Sequence, residues 1–288
     1  MQQRTIGSIQ VGAIGLGEMP LSIEGRPDEG RAIRTIHAAL DAGVTLIDTA
    51  DAYSLHADEI GHGETLAAKA LASYAGRKDD VIIATKGGHL RPGDGTWTQD
   101  GSPEHLRKAA QESLRRLGGD AIGLYQFHRP DPRVPYADSV GVLAELLDAG
   151  TLRQAGISNA TPDQIREAQQ VLGGRLVSVQ NQFSLSFRSS EPELELCTEL
   201  GIAFLPWSPL GGIANAGDTA KLAEERPAFA EVAQELDASP QQVVLAWMLA
   251  KSPIVIPIPG SSRPETITSS AGAADLTLSA EQFARLDA

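Results

Sequence analysis

The sequence predicts an α/β fold, a (β/α)8 TIM barrel with a short N-terminal hairpin and extra helical segments towards the C-terminus. Three observations point there. Strand-length apolar runs alternate with amphipathic, helix-spaced runs from end to end. Four polar residues stand where predicted strands run out. And no linker, charge run or low-complexity tract divides the 288 residues, so 1–288 is expected to be a single barrel domain.

Taken in order, Arg4–Gln10 with Gly7-Ser8 at its turn is expected to be a small hairpin plugging the barrel floor. The strand runs are Val11–Leu16, Val44–Asp48, Val81–Lys86, Ile122–His128, Ala155–Ser158, Val177–Asn181, Ala203–Ser208 and Ile254–Ile258. Between them, Ile33, Ile36, Ala39 and Leu40 share one side of a predicted helix, as do Leu106, Ala110, Leu114 and Leu117. Leu143, Leu146 and Leu147 repeat the spacing, as do Ile165, Ala168 and Leu172. Ser102-Pro103, Thr161-Pro162 and Ser239-Pro240 each read as an N-cap followed by proline at the first helical position. Gly43 and Gly150 sit where a left-handed helix end is needed. A doubly wound open sheet is the competitor. However, Gly12, Gly15 and Gly17 give G-x-x-G-x-G, the wrong spacing for a dinucleotide fingerprint, with no helix directly after it.

Composition narrows the function class. Hydrophobic content of 42% with 21% charged residues suits a globular protein with a substantial core. The net charge of −13 argues against nucleic acid or an anionic membrane surface as partner. No apolar run approaches the ~20 residues of a membrane span, and no export leader is recognisable. Cys197 is the only cysteine, so no intrachain disulfide can form and a cytoplasmic setting is expected. It reads as a small core residue.

The strand ends carry the chemistry. Asp48, Lys86 and His128 each close a strand run, and Tyr53 follows Asp48 five residues later. Chemistry in parallel α/β folds gathers at the carboxyl ends of the strands. Each residue alone has a bland reading as a turn, a solvated strand end, a half-buried aromatic or a rim histidine. Four on one rim suggest a proton-handling site. An ammonium about 4 Å from a phenol, at an effective dielectric near 20, is worth roughly 4 kcal/mol, or about three pK units. Lys86 is therefore expected to draw the pKa of Tyr53 towards neutrality, Asp48 to keep Lys86 charged, and His128 to polarise a substrate carbonyl. The loop holding His56, Asp58, Glu59 and His62 reads as solvated, with no metal.

These residues and their surroundings resemble the aldo-keto reductase superfamily over essentially the whole chain. The carrying segments are Asp48-Thr49-Ala50-Asp51-Ala52-Tyr53, Gly61-His62-Gly63-Glu64 with Leu66, Ala84-Thr85-Lys86, and Gln126-Phe127-His128-Arg129-Pro130-Asp131. Later come Gly156-Ile157-Ser158-Asn159, Val179-Gln180-Asn181, Trp207-Ser208-Pro209-Leu210-Gly211 and Pro259-Gly260-Ser261-Ser262-Arg263. The resemblance implies Asp48, Tyr53, Lys86 and His128 as catalytic residues, Tyr53 giving the proton during carbonyl reduction. It implies a nicotinamide cofactor, NADPH by preference with NADH as the alternative. Ser158, Asn159 and Gln180 would meet its carboxamide and Trp207 its ring. Ser208, Leu210 and Gly211 would lie along the pyrophosphate, and Gly260, Ser261, Ser262 and Arg263 at the adenosine phosphate. Many members carry a lysine where Gly260 stands, an arginine at Thr266 and a Glu-Asn pair at Ser269-Ser270. Arg263 is then the one nearby cation for a 2′-phosphate. Met19, Leu55 and Trp97 fall in rim loops that could line a substrate pocket. Ion-channel β subunits share the resemblance and keep the four residues, so a cofactor-sensing regulatory module is the rival class. An alcohol or sugar dehydrogenase working oxidatively is another. The sequence leaves the substrate and the oligomeric state open.

Overall fold

The computed structural model describes residues 1–213, 222 and 224–288. Seven parallel strands form one sheet whose spatial order follows the chain: Leu16–Gly17, Leu46–Asp48, Ile82–Gly87, Leu124–Phe127, Ala155–Ser158, Leu176–Gln180 and Ala203–Phe204. A helix separates each strand from the next, as repeated βα units winding into a TIM barrel require.

The eighth stave closes the ring without forming a regular ladder. Phe204 bridges Val255 on one side and Gly17 bridges Gly260 on the other, both in parallel sense. On the first side Ile256 and Ile258 donate to the carbonyls of Phe204 and Pro206, at 2.9 and 3.2 Å. On the other, Gly15 and Gly17 donate to the carbonyls of Pro257 and Pro259, at 2.9 and 3.0 Å. The two prolines have no N–H to return, so the pairing stays half complete.

The first stave is a correction. Val11 and Gly12 belong to the hairpin, whose strands Gln3–Ile6 and Ile9–Gly12 pair antiparallel, and only Leu16–Gly17 enters the barrel. The hairpin takes them because Ile6 and Val11 face the lumen, where they bury against Leu46, Ile82, Ala84, Leu124, Ala203, Leu205, Ile256 and Ile258. This plug is the expected floor, one residue wider at its start and two at its end.

The pleat sorts the side chains. Leu46 points into the lumen, Ile47 out to the helices, and Asp48 in again. Ile82 and Ala84 precede Lys86 on the inner face, and Leu124 precedes Gln126 and His128, while Tyr125 and Phe127 pack outward. Apolar residues thus fill the lower lumen, and polar residues of the same period come up at the mouth.

The helices begin as their caps predict. Ser102 accepts a hydrogen bond from the His105 amide at 3.3 Å, and Thr161 with Gln164 and Ser239 with Gln242 form reciprocal capping boxes. Gly43 and Gly150 take φ of 88° and 73° after Glu29–Asp41 and Tyr136–Asp148. Towards the C-terminus lie Pro227–Glu235, Pro240–Lys251, Pro264–Gly272 and Ala280–Asp287. Cys197 is fully buried, and burial, with Glu193 nearby, pushes its thiol up to about 12. No helix among the described residues is long and apolar enough to cross a membrane.

Candidate active site

Three of the four predicted residues meet at one ammonium. Lys86 is fully buried and its Nζ donates to Asp48 Oδ2 at 2.7 Å, the Thr49 carbonyl at 2.8 Å and the Tyr53 hydroxyl at 3.2 Å. Asp48 is fixed from the other side. Its Oδ1 accepts from Gln180 Nε2 at 2.8 Å and Gln126 Nε2 at 3.2 Å. Burial alone would lower the Lys86 pKa, but the charge of Asp48, the adjacent phenol and hydrogen bonds to both outweigh it, and the ammonium is stabilised.

Tyr53 departs from expectation. Its pKa is raised, because the cost of burying a phenolate exceeds the attraction of Lys86, and Asp48 adds to the rise. The ammonium therefore offsets burial without drawing the phenol towards neutrality. His128 completes the group: its ring meets that of Tyr53 edge-on at 5.9 Å. Burial, then Lys86, His89 and Arg129, hold it well below the ordinary histidine value, so the imidazole is neutral.

The loop carrying Tyr53 is held by local sequence. Thr49 and Asp51 amides donate to the carbonyls of Ala84 and Lys86, extending strand pairing past Asp48. Gly61 and Gly63 then turn the chain into the helix His62–Ser73. Gly61 has φ of 83°, and a Cβ on Gly63 would collide with Glu18 and Thr49. Glu18 is fully buried beneath this turn, accepting from Ser22 and, at 2.9 Å, from Thr49 Oγ1. Burial raises its pKa to about 8, against the hydrogen bonds and Lys86.

A cavity of about 560 Å³ opens above these groups. Asp48, Tyr53 and His128 line it, with Lys86 buried behind them. Of the predicted cofactor residues, Ser158, Asn159, Gln180, Trp207, Ser208, Leu210 and Gly260 also line it; Gly211, Ser261, Ser262 and Arg263 do not. Met19 and Trp97 line it and Leu55 does not. The Ser261 hydroxyl is turned to its own loop, donating to the Arg263 carbonyl at 2.9 Å, and Arg263 is exposed as the N-cap of Pro264–Gly272.

The wall of the cavity combines unusual backbone with polar side chains. Asn159 and Ser208 adopt φ of 57° and 51°, a conformation uncommon outside glycine and concentrated at functional positions. Asn159 Nδ2 donates to the His128 carbonyl at 3.0 Å and Ser158 Oγ at 2.9 Å, which joins this wall to the acid–base group. The Trp207 indole N–H is buried without a partner among the described residues. Added Cβ atoms on Gly17 and Gly260 would strike the Ile258 carbonyl and Pro20 at 2.8 Å, so both glycines keep the wall thin. Among the described residues, no group of three histidine, cysteine or carboxylate side chains could hold a metal.

Sequence reasoning missed Glu18 and His89, and it placed Gln126 and Arg129 only inside a motif, with no role. Gln126 was findable, two residues before His128 on the inward face. Glu18 directly follows the true first stave and was hidden by the misplaced strand. His89 lies in the small hairpin of His89–Leu90 and Thr98–Gln99, a placement that carries no periodic signal.

The family model described as the aldo/keto reductase family matches residues 13–288. An uncharacterized oxidoreductase of Schizosaccharomyces pombe is 38% identical over 98% of this chain and 88% of its own length. Pyridoxine 4-dehydrogenase of Escherichia coli is 33% identical, covering 98% and 96%. Among solved structures, a glycerol dehydrogenase of Gluconobacter oxydans superposes with a TM-score of 0.83 at 26% identity, over 99% of this chain and 94% of that one.

Proposed function

The chain belongs to the aldo/keto reductase family, a family of oxidoreductases, and on that premise we propose that it reduces an aldehyde or ketone to the alcohol. The cofactor in this reading is a nicotinamide, NADPH by preference with NADH as the alternative, and the whole chain acts as one domain. The observation that carries it is the Lys86 ammonium 3.2 Å from a buried phenol at the floor of the cavity.

The bound nicotinamide supplies the hydride; the chain supplies everything else. Tyr53 gives its proton to the carbonyl oxygen, and its raised pKa keeps that proton available at neutral pH. Lys86 then faces a phenolate whose charge it neutralises at hydrogen-bond distance, and Asp48 keeps Lys86 charged. Neutral His128 donates one N–H towards the same oxygen and fixes the angle of approach. Ser158, Asn159 and Gln180 would orient the carboxamide, with the Gln180 amide nitrogen already committed to Asp48. Trp207 would cover the ring, Ser208, Leu210 and Gly211 would follow the pyrophosphate, and Gly260 to Arg263 would receive the adenosine end. The cavity lining by Ser158, Asn159, Gln180, Trp207, Ser208, Leu210 and Gly260, with the Trp207 N–H unpartnered among the described residues, supports that part of the assignment.

The test is multiple turnover of simple aldehydes and ketones by the purified chain, with NADPH and NADH side by side. Sustained oxidation of either nucleotide without an added partner is expected. Tight nucleotide binding with no turnover on any carbonyl would instead favour a cofactor-sensing module.

A further inference from the structure

One cation in the cavity has no work in the chemistry described so far. Arg129 lines the cavity directly after His128, and its guanidinium makes one hydrogen bond, to Asn159 Oδ1 at 3.3 Å. Its Nε is buried without a partner, and no carboxylate pairs with it among the described residues. A guanidinium carries five N–H donors in a planar fork, so most of its donors remain free to meet a ligand.

The surroundings make this imbalance specific. Among the described residues, Asp48 is the only acidic one lining the cavity, and Lys86 neutralises it at 2.7 Å. Among the described residues, then, no carboxylate offsets the positive charge of Arg129, in a chain of net charge −13. Its field reaches both cavity histidines: after burial, Arg129 is the next cause holding His89 down to about 4, and it also lowers His128. His89 stays neutral and stacks on Trp97 at 4.8 Å; Arg91 lies over the Trp97 ring, also at 4.8 Å, but is paired with Glu24 and does not line the cavity. The backbone beyond Arg129 is tied down by hydrogen bonds. Two residues on, Asp131 accepts from the amides of Gly101 and Arg133, both at 3.0 Å.

We propose that Arg129 determines substrate choice, and that the preferred substrates are aldehydes or ketones bearing an anionic group, a carboxylate or a phosphate, which pairs with its guanidinium while the carbonyl lies at Tyr53. This rests on the reductase reading and adds the substrate class to it. Arg129 does not touch the reacting carbonyl and is a positioning and specificity residue.

The experiment compares matched substrates that differ in charge. 4-Carboxybenzaldehyde is set against its methyl ester, and glyceraldehyde 3-phosphate against glyceraldehyde, in wild type, Arg129→Gln and Arg129→Lys. In wild type the charged member of at least one pair should have a kcat/KM tenfold or more above its neutral partner, carried mainly by KM. The pair that shows it identifies carboxylate or phosphate as the anion. Arg129→Gln should collapse that ratio towards one, and Arg129→Lys should restore part of it, since the charge returns without the fork. A ratio unchanged in Arg129→Gln, or neutral partners preferred by wild type in both pairs, overturns the proposal. So does an Arg129→Gln effect confined to NADPH affinity. Binding of terephthalate against its dimethyl ester, followed through quenching of Trp97 and Trp207, reads the same preference without turnover. Failure of the reductase reading alone would abolish catalysis and leave that binding difference in place.

Discussion

Lys86 Nζ stands 3.2 Å from the Tyr53 hydroxyl, and the phenol's pKa is nevertheless raised. The ammonium is spent on making a buried phenol tolerable, and what remains is a donor that holds its proton until a developing alkoxide takes it.

Replacing Tyr53 by phenylalanine removes that proton and little else, since the ring keeps its edge contact with His128. Turnover of a simple aldehyde should fall by roughly 10²–10⁴. NADPH affinity, read by fluorescence titration, should stay within a few-fold of wild type. Unchanged turnover would remove Tyr53 from the mechanism.

The direction of the Tyr53 shift sets the pH profile of reduction. The protonated phenol is the active form, so kcat should hold through neutrality and fall only as pH rises past the ordinary tyrosine value of about 10. A kcat profile on a stable aldehyde checks this. An alkaline limb near pH 7 to 8 would mean that the field of Lys86 outweighs burial once the site is loaded.

Lys86→Met strands Asp48 as a buried carboxylate with only two amide donors left. Breaking a buried pair from one side costs about 3–5 kcal/mol, and urea denaturation should show a loss of that order together with near-complete loss of turnover. Adding Asp48→Asn should recover much of the stability and none of the activity. Equal instability in the double variant would indicate that Lys86 acts mainly through packing.

Glu18 gives a prediction about stability. Its folded pKa is raised to about 8 from 4.5, so the folded chain binds the extra proton. That contribution is fully present below about pH 4.5 and is lost as pH rises through about 8. Glu18→Gln keeps an acceptor and a donor for Thr49 and Ser22 but cannot ionise. Relative to wild type it should be near neutral at pH 5 and stabilising by up to a few kcal/mol at pH 9, measured as the shift in urea midpoint at the two values. The same midpoint difference at both pH values would refute the buried-acid account.

The order of strands and helices was legible because each run carries its own period, and Asp48, Lys86 and His128 were legible because a strand-end position follows from that period. The ends of the barrel were not. Val11 reads as a strand residue in either place, and only its burial against Leu46 and Ile256 assigns it to the plug. Ile254–Ile258 has the apolar content of a stave, but Pro257 and Pro259 decide how it bonds, and that depends on which neighbour each residue faces. The sign of the Tyr53 shift was beyond spacing altogether, since it is a contest between distance to Lys86 and depth of burial. Gln126 and Gln180 behave likewise: register puts Asp48 level with Leu124 and Gln126 level with Ser178, so their grip on Asp48 depends on the stagger of the closed barrel.

The prolines of the eighth stave also say where the ring is easiest to part. The seam beside Gly15 and Gly17 is stitched by donations in one direction only, so its opening should be the least costly breathing motion of the barrel. That seam runs up to Gly17 and Gly260 on the rim, away from the triply bonded ammonium at the centre. Amides of Gly15 and Gly17 should therefore exchange with solvent sooner than those of Ala84 or Lys86, so the vessel can widen at its lip while its working floor holds still.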